Sequence, residues 1–588
     1  MKLTLIFLSL ICLIPTWGVL AQFQKTIGVN NKNYHDLNIE PINDGSGTED
    51  YIVAGNLFDS TMQNEELTLK RVDGSGNIIW LKTYTHTSLQ HARVFDMVIY
   101  LDFIFITGSI DVLDTITNTF TKRTFIAQID ALNGSIVGAN YYDVLSTQFN
   151  SRGMHISYTQ SDANGDGAGD PGFVVGGFFS DCYNLDTTCT FNNIGFVMRT
   201  DMALSAIWIT ELDVNNPIDS QDYDIVNGII ETSDGFFITG SGTGITNSNV
   251  VQQEVLAHKI DFFGTFVWDR SYIYGNSNDV SVDAYYDAVT SEIYMLCNYS
   301  ISHYFGVTAF TNGGSFIPSK SWVAGSNDID RYGFKLMEPM GNSNNLIVSG
   351  YDRDENWISN GTSFFGQSNV FVHEFAKASG VQVGNSYQYL VSHTEPTGDD
   401  FNFWTGQMPR IYYPDMSFQK VDAAGINNYY HVGYRTNPSS GFTETELFKT
   451  PVNKRNVCER LDLQITPTLI TPQYSLVTSA HISVSEIPLV LNDLSIVFTE
   501  GFCDPTLSVG EDSKDKSILY PNPASEIIYI RGKDLSSFTI RDGMGRVVAE
   551  GILKNDNSMY VGNLSSGLYF VEIIDDSKRI ETFKLIKE

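Results

Sequence analysis

Hydrophobic residues along this chain fall into short runs that alternate with polar ones, and Gly and Asn interrupt the runs roughly every ten residues, the punctuation of strands joined by turns. Strict alternation marks half-buried β-strands, because successive side chains point to opposite faces. Val, Ile, Thr, Tyr and Phe abound, and no long stretch keeps the i, i+3, i+4, i+7 spacing of an amphipathic helix. The expectation is an all-β protein.

The pattern repeats. Strand-like runs end in a small residue at Gly55, Gly108, Gly176, Gly240, Cys297, Gly350 and Gly433. A second strand pair follows each, joined by a turn, as in the stretch from Leu67 to Trp80. There an Asp precedes a Trp by a fixed interval, Asp73 to Trp80, which recurs as Asp201 to Trp208 and Asp261 to Trp268, with Asp130 to Val137 a weakened copy. A unit of about four short strands cannot bury its faces alone and must stack on its neighbours, so the expected architecture for residues 22–507 is a β-propeller of about seven blades. Gln24-Lys25-Thr26-Ile27-Gly28 is similar to Leu81-Lys82-Thr83-Tyr84, which points to an N-terminal strand that closes the ring. Glycines at crowded strand ends and Trp between blades then have structural roles, with sugar stacking on Trp80, Trp208 and Trp268 as the competing reading. Residues 444–507 are expected to finish the last blade or add a short strand pair, and Ser508 to Lys516 reads as an exposed linker where cleavage would free the body.

Both ends carry addresses. Met1-Lys2, an apolar run from Leu3 to Ile14 and Val19-Leu20-Ala21 form a signal peptide over residues 1–21, leaving Gln22 first. Cys12 does not make it a lipoprotein signal, since Ile11 stands where a small residue is needed. No other stretch approaches the ~20 apolar residues of a transmembrane helix. At the far end, residues 517–588 read as six strands of a small Ig-like β-sandwich: Ile527 to Arg531, Phe538 to Arg541, Arg546 to Glu550, Met559 to Val561, Leu568 to Ile574 and Thr582 to Ile586. Pro521 and Pro523 fix an extended entry to the first, and Gly543, Gly545 and Gly567 permit turns.

Four motifs in that segment resemble the type A C-terminal sorting domain of type IX secretion cargo. They are Pro521-Asn522-Pro523, Gly545-Arg546-Val547-Val548, Leu564-Ser565-Ser566-Gly567-Leu568-Tyr569 and the late Lys584. The resemblance implies passage from the periplasm through a dedicated outer-membrane translocon and removal of the domain by a sorting peptidase. It further implies attachment of the body to surface lipopolysaccharide, or its release, so that the protein is secreted or held at the outer-membrane surface.

The chain carries 36 Lys+Arg against 68 Asp+Glu, a formal net charge of −32 that falls almost wholly on the body. Nucleic acid phosphates would be repelled, so nucleic acid is excluded as a partner. Five cysteines remain beyond the signal, and their placing predicts two disulfides, Cys182 to Cys189 and Cys458 to Cys503, with Cys297 left inside a strand.

One loop has metal-site spacing. Asp162, Asn164, Asp166 and Asp170 place oxygens at loop positions where calcium loops have them, with Gly167 at the wrapping position. Phe173 stands where an EF-hand needs its bidentate Glu, and a strand follows in place of a helix, so the expectation is a calcium-stabilised blade loop or a plain acidic turn. Gly167, Gly169 and Gly172 match a dinucleotide fingerprint by spacing alone, because no helix follows them. There is no Gly-x-Ser-x-Gly elbow and no phosphate loop, and His373-Glu374 lacks the second histidine of a zincin. His35, His155 and His258 stand singly and are read as strand or surface residues. Two function classes follow: a non-enzymatic module that binds a glycan, a protein or a neighbouring cell, and, as the alternative, a polysaccharide hydrolase or lyase with a carboxylate pair across the propeller mouth.

Overall fold

The computed structural model describes most of residues 23–587. Residues 1–22, 181–191, 392–414, 420–427 and 503–517, several shorter connections and the side chains of 451–523 lie outside the description. Sheets 1–6 each take four strands in chain order, from Lys32–Pro41 through Ile78–Thr85 in the first to Asp330–Met337 through Tyr387–Val391 in the sixth. The seventh takes Asp415–Gln419, Asn428–Thr436 and Thr443–Pro451, and Phe23–Gly28 from the N-terminus fills its fourth place. That is the place Leu81-Lys82-Thr83-Tyr84 occupies in the first sheet, as the likeness of the two segments predicts. First strands adjoin one another in series from sheet to sheet, and Asp415–Gln419 touches the first strands of both the sixth and the first sheets.

Stacking divides the hydrophobic core among the clefts between sheets. One cluster joins Ile52, Leu67 and Leu69 of the first sheet to Ile104, Ile106 and Phe125 of the second. Others join the second to the third around Phe105, Phe173 and Met198, and the fifth to the sixth around Phe305, Trp322 and Phe371. A strand between two neighbours is covered on both faces, which is why every residue of Gly172–Ser180 is buried and the polar–apolar alternation fades there.

The recurrent small residue has a geometric cause. In each of sheets 1–6 the first strand bulges once against the second, shifting register at Asp36/Asn38, Val94/Asp96, Gly153/His155, Val226/Gly228, Ser281/Asp283 and Gly333/Lys335. The bulge pushes a first-strand carbonyl toward the second strand. A Cβ added at Gly108, Gly177 or Gly350 would lie 1.9 Å from that oxygen, and one at Gly240 would lie 1.8 Å away. In the third sheet the role thus falls to Gly177, one residue beyond the expected Gly176, whose missing side chain makes room for Val226 of the fourth sheet. Cys297 takes the position in the fifth sheet, paired with Ser281 and buried.

Residues 444–507 depart from expectation. Thr443–Pro451 is an ordinary third strand, but Glu459 to Phe502 neither finishes a blade nor forms a strand pair. This segment gives each of the seven sheets a fifth, outermost strand, in reverse order along the series: Glu459–Asp462 to the sixth, Thr466–Leu469 to the fifth, Gln473–Ser475 to the fourth, Thr478–Ile482 to the third, Val484–Pro488 to the second, Asn492–Ser495 to the first and Thr499–Phe502 to the seventh. Runs of three to five residues with no hairpin partner of their own carry too little periodicity to announce this belt.

The C-terminal segment forms a three-stranded and a four-stranded sheet, so it has seven strands where the alternation shows six. The extra one, Ile518–Tyr520, precedes the prolines and pairs with Ile527–Arg531. Ile528, Ile540, Met559, Val561, Tyr569, Val571 and Leu585 form its own core.

The bulge geometry separates two glycines of the second sheet. Gly108→Ala is expected to lower the unfolding free energy by more than about 3 kcal/mol, since backbone must move. Gly138→Ala, whose Cβ would meet nothing within 4 Å, should be neutral or slightly stabilising. Chemical denaturation of both variants checks the contrast.

Candidate functional site

The Asp-to-Trp interval proves to be a staple between sheets. Asp130 and Asp201 end a third strand, Asp73 and Asp261 directly follow one, and all four accept hydrogen bonds from backbone N–H groups of the turn, as Asp261 does from Phe263 (2.9 Å) and Thr265 (2.8 Å). Trp at the start of the fourth strand reaches under the corresponding turn of the next sheet. Trp80 donates to Ala131 O at 3.2 Å, Trp208 to Phe262 O at 3.2 Å and Trp268 to Asn312 O at 2.9 Å. Gly134, Gly264 and Gly314 lie on those indole faces at φ of +70°, +78° and +82°, where a Cβ would be 2.7–3.1 Å from the ring. Trp322 makes the same contact with Gly380 of the sixth sheet; in the second sheet Gly138 holds the Trp position, and Tyr142 donates to Leu204 O at 2.8 Å as Tyr84 of the first sheet does to Gly134 O at 2.9 Å. Trp80, Trp208 and Trp268 are therefore structural, each with one indole face laid against a turn of the next sheet.

Charged groups reinforce the same seams. Arg71 pairs with Asp50 and donates to Ala131 O of the second sheet at 3.2 Å. Lys259 binds Asp234 of its own sheet and Asn312 of the fifth. Lys377 joins Asp287 of the fifth sheet (2.9 Å) to Glu338 of its own (2.8 Å). Lys70, fully buried, holds Asp36 and donates to Thr445 of the seventh sheet at 2.8 Å; burial pushes its ammonium down while Asp36 holds it up. Burial also lowers Lys122 to about 8, opposed by Asp111 at 3.1 Å. Sequence reasoning missed this set, although Arg71-Val-Asp73, Arg199-Thr-Asp201 and Lys259-Ile-Asp261 repeat a cation two places before the turn Asp.

The single histidines are strand residues. His155 bridges three sheets: Nδ1 lies 2.7 Å from Asp96 Oδ2, out of line for a hydrogen bond, and Nε2 lies 3.0 Å from Ile229 O. His258 is wholly buried, with no hydrogen-bond partner at either ring nitrogen. His373 packs against Phe305, Trp322 and Phe375, and burial raises its neighbour Glu374 to about 6, opposed by the Asn345 amide at 2.7 Å. The side chain of His35 lies outside the described residues.

The loop from Asp162 to Asp170 wraps on its own backbone. Asp162 accepts from Asn164 (3.1 Å), Gly165 (2.7 Å) and Gly167 (2.7 Å), led by the Gly167 bond in holding its carboxyl below the usual range. Asp170 accepts from Ala163 N at 2.9 Å, Asn164 accepts from Asp166 N at 2.9 Å, and Asp166 accepts from Ala168 N at 2.8 Å. Among the described residues no three His, Cys, Asp or Glu side chains group to hold a metal ion.

In the tail, Tyr569 turns back to donate to Ser565 O at 2.8 Å and enters the core, which pins the Leu564–Tyr569 turn. Gly567 and Leu568 open the strand Gly567–Asp575, and Lys584 pairs with Phe570 on the last strand. Pro521, Asn522, Pro523 and Gly545 lie outside the described residues, as do Cys182, Cys189, Cys458 and Cys503, so the structure does not bear on either disulfide.

Residues 518–588 match the family of secretion system C-terminal sorting domains. The chain is a type IX secretion cargo. This sorting domain directs the body to the cell surface or beyond it, and among the described residues no helix is long and apolar enough to cross a membrane. No curated protein matches the chain. Solved structures similar to it include the extracellular domain of a proposed one component system from B. thetaiotaomicron (10% identity, TM-score 0.16, 95% of this chain and 100% of that one). Drosophila Semaphorin 2a is another (9% identity, TM-score 0.29, 96% and 97%). TM-scores this low carry no argument about the body attached to the sorting domain.

His258 gives a pH signature to that body. Burial lowers its imidazole to about 3, against 6.5 ordinarily, so the unfolded chain takes up a proton that the folded chain refuses. Its contribution is intact above pH 6.5 and is lost as pH falls from there toward 3. His258→Leu removes that loss and leaves no buried group unpaired. The variant is expected to gain on wild type as pH drops, by up to about 1.4 kcal/mol per pH unit. Thermal melts between pH 7 and 4 check it.

Proposed function

We propose that the body is a closed seven-bladed β-propeller, exported by its sorting tail, that binds a glycan, a protein or a neighbouring cell without transforming it. One observation carries the reading: of the perturbed ionisable groups, Lys70, Lys122, Lys259, Tyr285 and Glu374 are each held by a partner in the same or the next sheet, and His258, which has none, is wholly buried. Perturbed groups in a catalytic cleft would be poised for substrate; the first five join sheets or strands. The cycle of first-strand contacts supports the closed ring, and removal of the tail within Ser508 to Lys516 would leave the body on surface lipopolysaccharide or free it. The purified body, screened on a broad polysaccharide array with retention and released oligosaccharide read in the same wells, is expected to bind without release. Product release would establish the hydrolase or lyase instead.

The tail has a surface suited to the secretion machinery. Val547–Ile552 is an edge strand of the four-stranded sheet, and Val547, Val548 and Ile552 are 48%, 41% and 83% exposed. Aliphatic residues on an open edge invite strand addition by a partner. Val548→Lys with Ile552→Glu should leave the tail folded and cut export of the full chain several-fold, measured as protein retained in the periplasm. Undiminished export would remove this strand from the recognition surface.

A further inference from the structure

The belt of residues 459–502 pairs with all seven sheets, and its last strand ends on a particular neighbour. In the seventh sheet the order is Asp415–Gln419, Asn428–Thr436, Thr443–Pro451, Phe23–Gly28, Thr499–Phe502. The N-terminal strand is therefore held from both sides, Phe23 to Ile27 pairing with Lys449 to Thr445 and Lys25 to Gly28 pairing with Phe502 to Thr499. Among the described residues no other sheet inserts a strand from the distant end of the chain between its own third strand and the belt.

We propose that the belt is a latch laid down after the sheets have stacked, and that its final strand locks the N-terminal strand into the seventh sheet. The order follows from pairing. Each belt strand has three to five residues and a single partner, the outer edge of a fourth strand, so it has no template until that strand is in place. Within the seventh sheet the template for Thr499–Phe502 is Phe23–Gly28 itself, which must dock on Thr443–Pro451 first. Opening runs in the opposite sense. Withdrawal from the C-terminal end frees Thr499–Phe502, leaves Phe23–Gly28 paired on one side, and then uncovers the first, second and third sheets in turn. Short strands paired on one side occupy the low-stability end of a fold, whereas strands paired on both sides exchange only with global opening.

Hydrogen exchange followed by mass spectrometry on the full chain tests this. In wild type, amides of the belt strands should exchange faster than those of Phe103–Asp114, Gly172–Ser180 and Gly235–Ile245, each paired on both sides. A variant with residues 499–502 replaced by Gly and Ser should raise exchange of Phe23–Gly28 by roughly tenfold or more, leaving those three strands unchanged. Belt amides as slow as the inner strands in wild type would overturn the proposal. So would a variant in which Phe23–Gly28 keeps its protection, or in which all sheets loosen equally. Should the variant fail to fold, the wild-type comparison alone decides.

Discussion

The turn that ends each third strand, and the side chain from the preceding sheet beneath it, is the contact on which the body depends. Asp261 shapes its turn by accepting two N–H groups, Gly264 turns the backbone at positive φ and presents a bare Cα, and Trp208 fills the space and donates to Phe262 O. Three requirements meet at one place: backbone satisfaction, a left-handed residue, and an aromatic body with a polar tip. Because the Trp belongs to one sheet and the turn to the next, the contact fixes the angle and spacing between sheets. The hydrophobic clusters obey that spacing, each drawing its residues from two successive sheets. No sheet has a core of its own, so the sheets stand or fall together.

Charge is divided along the same lines. The chain has 68 acidic residues and only 36 basic ones, yet several of the cations are drawn into seams: Lys70, Arg71, Lys259 and Lys377 are all buried. Each meets a carboxylate that offsets the desolvation of the cation; Asp36, Asp50 and Asp287 are themselves buried, whereas Asp234 beside Lys259 reaches solvent. Removing one member of the three buried pairs would leave the other uncompensated, whereas an apolar pair of the same shape could be tolerated. Such pairs fix which sheet meets which more than they add to stability. Lys70 illustrates it by meeting Asp36 in its own sheet and Thr445 across the seam where the two ends of the body meet.

Legibility in the sequence follows how local each device is. The Asp-to-Trp interval could be read because turn and Trp belong to one hairpin of fixed length, even though the Trp acts on the next sheet. The same device in the fifth sheet escaped notice, because a 3-10 turn at Pro318–Lys320 lengthens the connection from Thr311 to Trp322. Leu204 hides another copy by holding the glycine position at φ +66°, and Gly138 by leaving the Trp position without a side chain. The small residue at the second-strand bulge was visible as a repeat, but its register in the third sheet was ambiguous between Gly176 and Gly177, which only the partner carbonyl of Arg152 resolves. The belt was not legible at all, since its strands are defined by distant partners. In the calcium-like loop, spacing showed where the oxygens are but could not show that Asp162 gives both of its oxygens to N–H groups of the loop. The sorting tail was the most legible segment because its motifs are local turns and strand ends.

Stacking hides the faces of a sheet but leaves its outermost strand with an open edge, and open edges invite aggregation. The belt answers this only in part. It pairs with Lys82–Thr85, Asn140–Val144, Ile209–Asp213 and Ser271–Ile273, the later portions of the fourth strands or, in the fourth sheet, of its second segment. The earlier portions stay outside its reach and carry Ile79, Val137, Ile207 and Val267, each 42–53% exposed and each one residue before the stapling position. Their placement follows from the staple, since Trp80, Trp208 and Trp268 point into a seam and alternation turns the preceding residue outward. Four aliphatic residues recurring on successive sheets would favour self-association on a neutral protein. On this one the net charge of −32 opposes it, because copies of the body repel one another before apolar surfaces can meet. The acidic surface is thus a physical counterpart of the staple, and screening by salt is the condition under which the two come into conflict.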